Sequence, residues 1–155
     1  MARLYAVTFD RVSISAAQDL INITATASMA CRVRRLELGQ ATTGTWASLP
    51  FRIVRNPATV TAGSGGSAAT PAPLRDTDSA ATFTARINDT TAQTTSGTAA
   101  ILFARDWELL NGSVIVFTPV EEVVIKPSEG LAINSPTAPG SAITASGTLI
   151  VEELI

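Results

Sequence analysis

The side chains of this sequence that could carry out acid–base chemistry are its carboxylates, because the 155-residue chain has no histidine and a single cysteine. Without histidine, neither a Ser-His-Asp nor a Cys-His arrangement can form. Zinc and other transition metals also lose their commonest ligand. The closely spaced acidic pairs are Asp76/Asp78, Asp106/Glu108, Glu121/Glu122 and Glu152/Glu153.

The sequence does not support a catalytic site at these pairs. Adjacent residues of a strand point to opposite faces, so neither Glu pair can act together on a strand. A glycosidase holds two carboxyls across a cleft that is usually lined with aromatic side chains, and aromatic residues make up only 5% of this chain. We therefore expect no catalytic residue and no enzymatic activity.

Two short motifs could bind a ligand. Gly63-Ser64-Gly65-Gly66 has the glycines of a phosphate-binding loop, but neither a lysine nor a predicted helix follows it. Asp76-Thr77-Asp78 lacks the spacing of a calcium loop and is typical of a turn or cap. We expect no metal and no cofactor, and the role of Asp76 and Asp78 stays open.

The basic and large aromatic residues favour packing over ligand binding. The net charge is −2, and Arg32, Arg34 and Arg35 form the one basic cluster, without interleaved aromatics. This pattern predicts a strand with solvated or salt-bridged arginines and argues against nucleic-acid binding. Trp46 and Trp107 could stack on sugars, but packing in a core or an interface is favoured.

The elements that must carry these residues follow a period of two. Apolar and polar residues alternate in the ranges 4–9, 12–15, 21–24, 82–87 and 143–152. Shorter strands are predicted at 31–39, 50–55, 98–105, 113–118, 121–126 and 130–134. Turn residues recur at a spacing of roughly 8–12 residues, which is typical of a sandwich or barrel. We predict one all-β domain over 1–155, an antiparallel β-sandwich. The best helical candidates are single turns at 16–20 and 106–110.

The run 31–38 changes phase, because Cys31 and Val33 lie on one face of a regular strand and Leu36 and Leu38 on the other. A β-bulge near Arg34–Arg35 would bring both pairs to one face. Alternatively, a partner chain covers the second face. Cys31 is expected to pack in the core and not to act as a nucleophile.

The range 56–80 has no periodicity and is predicted to be a long irregular arm or loop. Its Gly/Ser part favours flexibility, and Pro71-Ala72-Pro73 favours an extended course. We expect the arm to contact a neighbouring subunit or shell, and its deletion to leave the sandwich folded. The residues expected to contact a partner are Gly63, Gly65, Gly66, Pro71, Pro73, Arg32, Arg34 and Trp107.

The surface is poor in charge, since charged residues make up 15% of the chain. An average soluble domain has about a quarter. Such a surface suits lasting contact with protein, and we expect a homo-oligomer, most simply a trimer. The start of the chain lacks the apolar segment of a secretory signal, and no apolar run reaches the length of a membrane span. We expect synthesis in the host cytoplasm and no membrane contact.

Several stretches resemble small proteins encoded by tailed bacteriophages. They lie at 4–9, 16–20, 36–40, 52–55, 64–74, 83–85, 88–91 and 145–153, and so span nearly the whole chain. The relatives often carry Arg between the two prolines, where this chain has Ala72. The resemblance implies a virion protein, a head-decoration (cement) protein with a jelly-roll-like β-sandwich that sits as a homotrimer on the major capsid protein. A tail or head-fibre component, or a carbohydrate-binding β-sandwich module, is the alternative.

Overall fold

Two antiparallel sheets enclose the apolar side chains of this protein. The computed structural model describes residues 2–41, 48–108 and 111–154. Within these ranges there are fourteen strands and no helix. They are β1 (Arg3–Ile14), β2 (Gln18–Thr24), β3 (Ala30–Gln40), β4 (Ser48–Asn56), β5 (Val60–Thr61), β6 (Ser67–Ala69), β7 (Ala72–Pro73), β8 (Thr84–Asp89), β9 (Thr94–Thr95), β10 (Ala100–Glu108), β11 (Ser113–Val116), β12 (Val123–Ile125), β13 (Gly130–Ser135) and β14 (Ile143–Leu154).

The strand order places β10 and β11 at the edges of the two sheets. Sheet A has the order β11-β3-β14-β1-β7, and β12 also pairs with β3. Sheet B has the order β10-β4-β13-β2-β8-β6, and β5 and β9 form a separate two-stranded ribbon. The fold is a single antiparallel β-sandwich, as the period of two predicted.

The core arises from the alternation along the longest strands. In β1, Tyr5, Val7 and Phe9 point inward, and β14 places Leu149 opposite Val7. Burial of each such side chain contributes about 1.5–3 kcal/mol. Phe9 lies opposite Gly147, where an added Cβ would come within 2.6 Å of the ring. Glycine at 147 therefore makes room for an aromatic ring in the core.

A β-bulge at Arg34 resolves the phase change in β3. Ile150 of β14 pairs with Arg35, and the next residue, Val151, pairs with Val33, so Arg34 has no partner in this register. The four apolar side chains of 31–38 consequently all face the core. The bulge hypothesis is confirmed, and the apolar residues of this strand do not require a partner chain to cover them.

The predicted helical turns are absent where the structure describes them. Residues 18–24 and 100–108 are strands, while 109–110 lie outside the described residues. Pairing explains the first difference, because β2 lies between β13 and β8 and its residues from Gln18 to Ile23 are buried. Tertiary contact outweighs weak local propensity in such a strand.

The prediction of an irregular arm at 56–80 is corrected by the structure. This range contains Asn56, the last residue of β4, and the three short strands β5, β6 and β7. β6 pairs with β8 at the edge of sheet B, and β7 pairs with β1 at the edge of sheet A. The segment therefore crosses from one sheet to the other and links them. Strands of two or three residues are too short to show a period of two.

Candidate interaction surfaces

The arginines of β3 are paired within the chain. Arg32 Nη1 lies 3.0 Å from Glu122 Oε1, and Arg34 Nη1 lies 2.7 Å from the same oxygen. Arg34 Nη2 lies 2.5 Å from Glu152 Oε2, and the hydrogen bond to Glu152 is the main cause of a raised Arg34 pKa. The prediction of salt-bridged arginines on a strand is confirmed. Their contact with a partner stays a prediction.

Trp107 belongs to the core. It is 1% exposed and lies opposite Leu49, which is equally buried. Its assignment as a partner-contact residue is therefore corrected, because a side chain enclosed in this way presents no surface to another molecule. Trp46 lies outside the described residues.

The glycines of the 63–66 run are packed against their own chain. A Cβ at Gly63 would come within 2.7 Å of Asp89 Oδ2, and one at Gly66 within 2.1 Å of the Ile87 carbonyl oxygen. Gly65 has a φ of +89°, in the region that favours glycine. These glycines allow close approach of two backbone segments, which differs from the flexible role predicted for them.

The two prolines lie where the chain crosses between the sheets. Pro71 precedes β7, and Pro73 pairs with Tyr5 of β1 at the edge of sheet A. Proline has no backbone N–H, so this edge offers fewer donors to an added strand. The prolines thus hinder the addition of another strand at this edge of sheet A. Their contact with a partner stays a prediction.

A buried carboxylate, Asp89, holds the glycine-rich segment, and the sequence analysis missed it. Asp89 is fully buried. Its oxygens accept hydrogen bonds from Arg86 at 2.8 Å, from Asn22 Nδ2 at 2.9 Å and from the Gly66 amide at 3.0 Å. Burial alone would raise its pKa, but these bonds outweigh burial and lower it below the ordinary value.

A second buried carboxylate, Asp19, pairs in register with Asp89. Asp19 accepts a hydrogen bond from the backbone N–H of Gln93 at 2.7 Å and another from Asn134 Nδ2 at 2.8 Å. Burial is the main cause of its raised pKa, and the charge of Asp89 adds to it. The available sequence signal was the polar pair Gln18-Asp19 at the start of β2, directly before Leu20 and Ile21.

Gln93 fixes the segment between β8 and β9 against sheet B. Its side chain donates to the Ile23 carbonyl at 3.1 Å and accepts from Asn56 Nδ2 at 2.9 Å. Gly130 leaves room for it, since a Cβ there would come within 2.5 Å of Gln93 Oε1. The polar groups below these loops are structural, and their bonds leave little capacity for a ligand.

One end of the sandwich is closed by the segment before β8. Glu153 Oε1 accepts hydrogen bonds from the Thr82 amide at 2.5 Å and its hydroxyl at 2.7 Å. Tyr5 donates to the Ser79 carbonyl at 2.9 Å and packs edge-on against Phe83, with ring centroids 5.7 Å apart. Glu153 and Tyr5 therefore tie the segment before β8 to strands β14 and β1.

The exposed apolar side chains are concentrated on one side of the sandwich. Among the described residues, seven large apolar side chains are exposed, and six of them lie on or just after β10 and β11. Phe103 and Phe117 make an edge-on contact at 6.2 Å, which brings these two sheet edges together. We call this surface the β10–β11 side: Ile101, Leu102, Phe103, Val114, Val116 and Val120.

The outer face of sheet A carries a shallow groove of about 420 Å³. Leu4, Leu74, Val116 and Ile150 supply its apolar surface, and Arg34 and other arginines stand beside it. Such a groove can contact protein. In the ranges that the structure describes, no three His, Cys, Asp or Glu side chains are grouped to hold a metal ion. The same ranges hold no helix with the length and apolarity to cross a membrane.

Comparison with known proteins gives no family for this chain. No protein-family model matches it, and no curated protein matches it. A solved structure with some similarity is the D431N mutant VP2 protein of infectious bursal disease virus in derived T=1 particles, at 16% identity and a TM-score of 0.22. The alignment covers 97% of this chain, which spans only 40% of that chain. A TM-score this low supports no argument about fold or function.

Proposed function

We propose that this chain is a structural virion protein of a tailed bacteriophage, a non-enzymatic head-decoration (cement) protein that binds the major capsid protein. The observation that carries the proposal is the β10–β11 side, where six large apolar side chains on or just after β10 and β11 are exposed. Exposed apolar groups of this kind mark surfaces that bind protein. The sequence resemblance to phage proteins supplies the kind of particle.

The rest of the molecule fits a structural role. The buried carboxylates Asp19, Asp89 and Glu153 are bonded to the chain's own amides and side chains, which tie loops to the sheets. A rigid sandwich with a protein-binding side stabilises a shell by adding contacts between capsid subunits, and mass action then favours the assembled particle. The proposed working form is a homo-oligomer in the virion, for which the resemblance implies a trimer.

The test is reconstitution on isolated particles. Phage heads that lack the protein, and separately isolated tails, are mixed with the pure chain and examined by cosedimentation and cryo-electron microscopy. We expect regular density for the sandwich on the head lattice and a higher temperature of head disruption. Density on tails alone would replace the proposal by the tail alternative, and binding to neither would refute a virion role.

A further inference from the structure

Strand β10 is a long, exposed sheet edge. It has nine residues, Ala100–Glu108, without proline or lysine, and it carries a β-bulge at Leu102 and the charged residues Arg105, Asp106 and Glu108. In the described part of the chain it pairs with β4 on one side, and no strand pairs with its other side. Six consecutive residues, 101–106, are exposed, so neither face of this stretch is covered. Natural proteins usually shorten, charge or block such an edge because it can pair with another chain.

The other edges of the sandwich are blocked or short. On the far side, β6 and β7 have three and two residues, and Pro71 and Pro73 flank or occupy the second. Beside β10, β11 and β12 have four and three residues. Among the described strands, no other edge strand is as long as β10, so the edge that matches it in length is β10 of a second copy. Two identical strands can pair along their whole length in the antiparallel sense, about a twofold axis.

We propose that β10 pairs with β10 of a second copy, so that sheet B continues across a twofold axis into the second molecule. The main-chain groups of the two edges satisfy each other, as in strand addition to a sheet. Ile101, Leu102 and Phe103 supply the apolar contacts around this ladder. The proposal concerns the chain alone in solution. Capsid binding is proposed for the same side of the sandwich, so binding to a head would displace the second copy.

The charges of β10 restrict the register. An axis at Arg105 would place two arginines opposite each other, and an axis at Asp106 would oppose two aspartates. Like charges directly opposite are destabilising. An axis at Phe103 instead brings the two Phe103 rings together, with the bulge at Leu102 of each copy next to the axis.

The area of this surface meets what a dimer needs. A nine-residue strand is about 30 Å long, and two sheets stand about 10 Å apart, so the side with its side chains measures roughly 30 by 20 Å. Two copies would then bury about 1,200 Å², at the lower end of the range for stable interfaces. The contact is twofold, so it predicts a dimer or another even-numbered assembly, in contrast to the trimer that the resemblance implies.

The test is the mass of the free protein in sedimentation velocity and equilibrium experiments at tens of micromolar. We expect twice the chain mass of 16.1 kDa for the natural protein. Ile101→Lys with Leu102→Lys should give a folded monomer, because edge lysines prevent strand pairing. Leu74→Lys is the matched control: Leu74 is 54% exposed, like Ile101 at 55%, but lies in the groove on the outer face of sheet A and not on β10. The control should stay dimeric.

A second variant makes the result independent of the lysine variants' folding. Phe103→Cys should form an intermolecular disulfide when treated with oxidised glutathione, because residues opposite each other across an axis have Cα atoms near disulfide distance. Leu74→Cys should not. A natural protein that is monomeric or trimeric, a lysine variant that remains dimeric, or a Phe103→Cys protein that fails to cross-link would each overturn the proposal. A dimer that does not bind heads would refute only the virion role.

Discussion

The Gly66 amide nitrogen lies 3.0 Å from Asp89 Oδ1, so a buried carboxylate holds the glycine-rich segment against the end of β8. Gly66 also approaches the backbone of 87–88 so closely that no side chain fits between them. The hydrogen bond and the close contact occur at one residue. The Gly/Ser run thus has a fixed course, set by an anion in the core and by the absence of a side chain.

Gly66→Ala is expected to destabilise the fold. Its Cβ would come within 2.1 Å of the Ile87 carbonyl oxygen, and neighbouring backbone cannot move aside cheaply. We expect a loss of about 1–3 kcal/mol in the free energy of unfolding, measured in urea. Gly140→Ala is the control, because a Cβ there meets nothing within 4 Å. Equal stability of the two variants would show that the 66–88 contact is not maintained in solution.

Asp89 should make the stability of the protein sensitive to acid. Its pKa is lowered from the ordinary 3.8, so its contribution is present above pH 3.8 and is lost as the pH falls through the folded-state pKa. Asp89→Asn should lower the free energy of unfolding at neutral pH by about 2–4 kcal/mol. As the pH falls below 3.8 and through the folded-state pKa, the carboxylate of the natural protein is protonated, and the difference between the two proteins should shrink.

In the same experiment, protonation of Asp19 changes the stability in the opposite direction. Burial raises its pKa, so its charged form is penalised in the fold, and protonation relieves that penalty as the pH falls. The free energy of unfolding of the natural protein therefore falls less in acid than it would if Asp89 alone were protonated. A constant difference between natural protein and Asp89→Asn across the whole pH range would contradict the role assigned to Asp89.

The sequence predicted the sandwich and its core because those follow from local alternation. The phase change at 31–38 predicted a bulge near Arg34–Arg35, since four apolar residues can share a face only with one extra residue between them, and the structure places it at Arg34. The range 56–80 could not be predicted in the same way. Its two- and three-residue strands form by pairing with β1 and β8, which are distant in sequence, and leave no periodic pattern.

The candidate surface was also beyond sequence reasoning. Strands at 98–105 and 113–118 were predicted, but apolar runs there are equally compatible with a core. Their exposure follows from the strand order, which places β10 and β11 at sheet edges. Trp107 shows the reverse case, because it is the buried residue of β10 and lies opposite Leu49. Which side chains are buried depends on neighbours that only the assembled sheets provide.

Deletion of Arg34 tests the bulge. Without it, Arg35 would take the outward position between Val33 and Leu36, and β3 would become a regular strand with its core residues in place. We expect a folded protein that loses about 1 kcal/mol with the ion pairs. Deletion of Glu37 is the control, since it would turn Leu38 outward and cost about 2–5 kcal/mol. Urea unfolding measures both, and a costlier Arg34 deletion would count against the bulge.

Cys31 should react with thiol reagents only when the protein opens. Burial, with a further contribution from Glu153, raises its pKa to about 12, so thiolate is scarce at pH 8 and is also enclosed. We expect labelling by a disulfide reagent to accelerate with urea in parallel with unfolding. Cys31→Ala combined with Ala80→Cys, which moves the thiol to an exposed loop, should react at once. Rapid labelling of native Cys31 would show that this part of the core opens locally.

Removal of the segment between β5 and β8 should destabilise the whole sandwich. Deleting 63–67 and 70–73 removes the Gly66 donor from Asp89, the first residue of β6 and the whole of β7, which uncovers edge positions of β8 and β1. It also removes most of the link between the two sheets. We expect several kcal/mol of lost stability, consistent with the loss of a buried charge's partner and of sheet pairing, and faster hydrogen exchange of amides in β1 and β8.

The control deletion is 138–141, in the loop between β13 and β14, where the residues are exposed or half-buried and form no strand. It should change the free energy of unfolding little, because surface loops tolerate changes of length. The arm hypothesis makes the opposite prediction for the first deletion, a sandwich of unchanged melting temperature. If the two deletions are equally mild, the 63–73 segment is dispensable for folding. If the first alone is severe, the segment is part of the sandwich, and attachment to a partner must depend on other surfaces, of which the β10–β11 side is the most apolar.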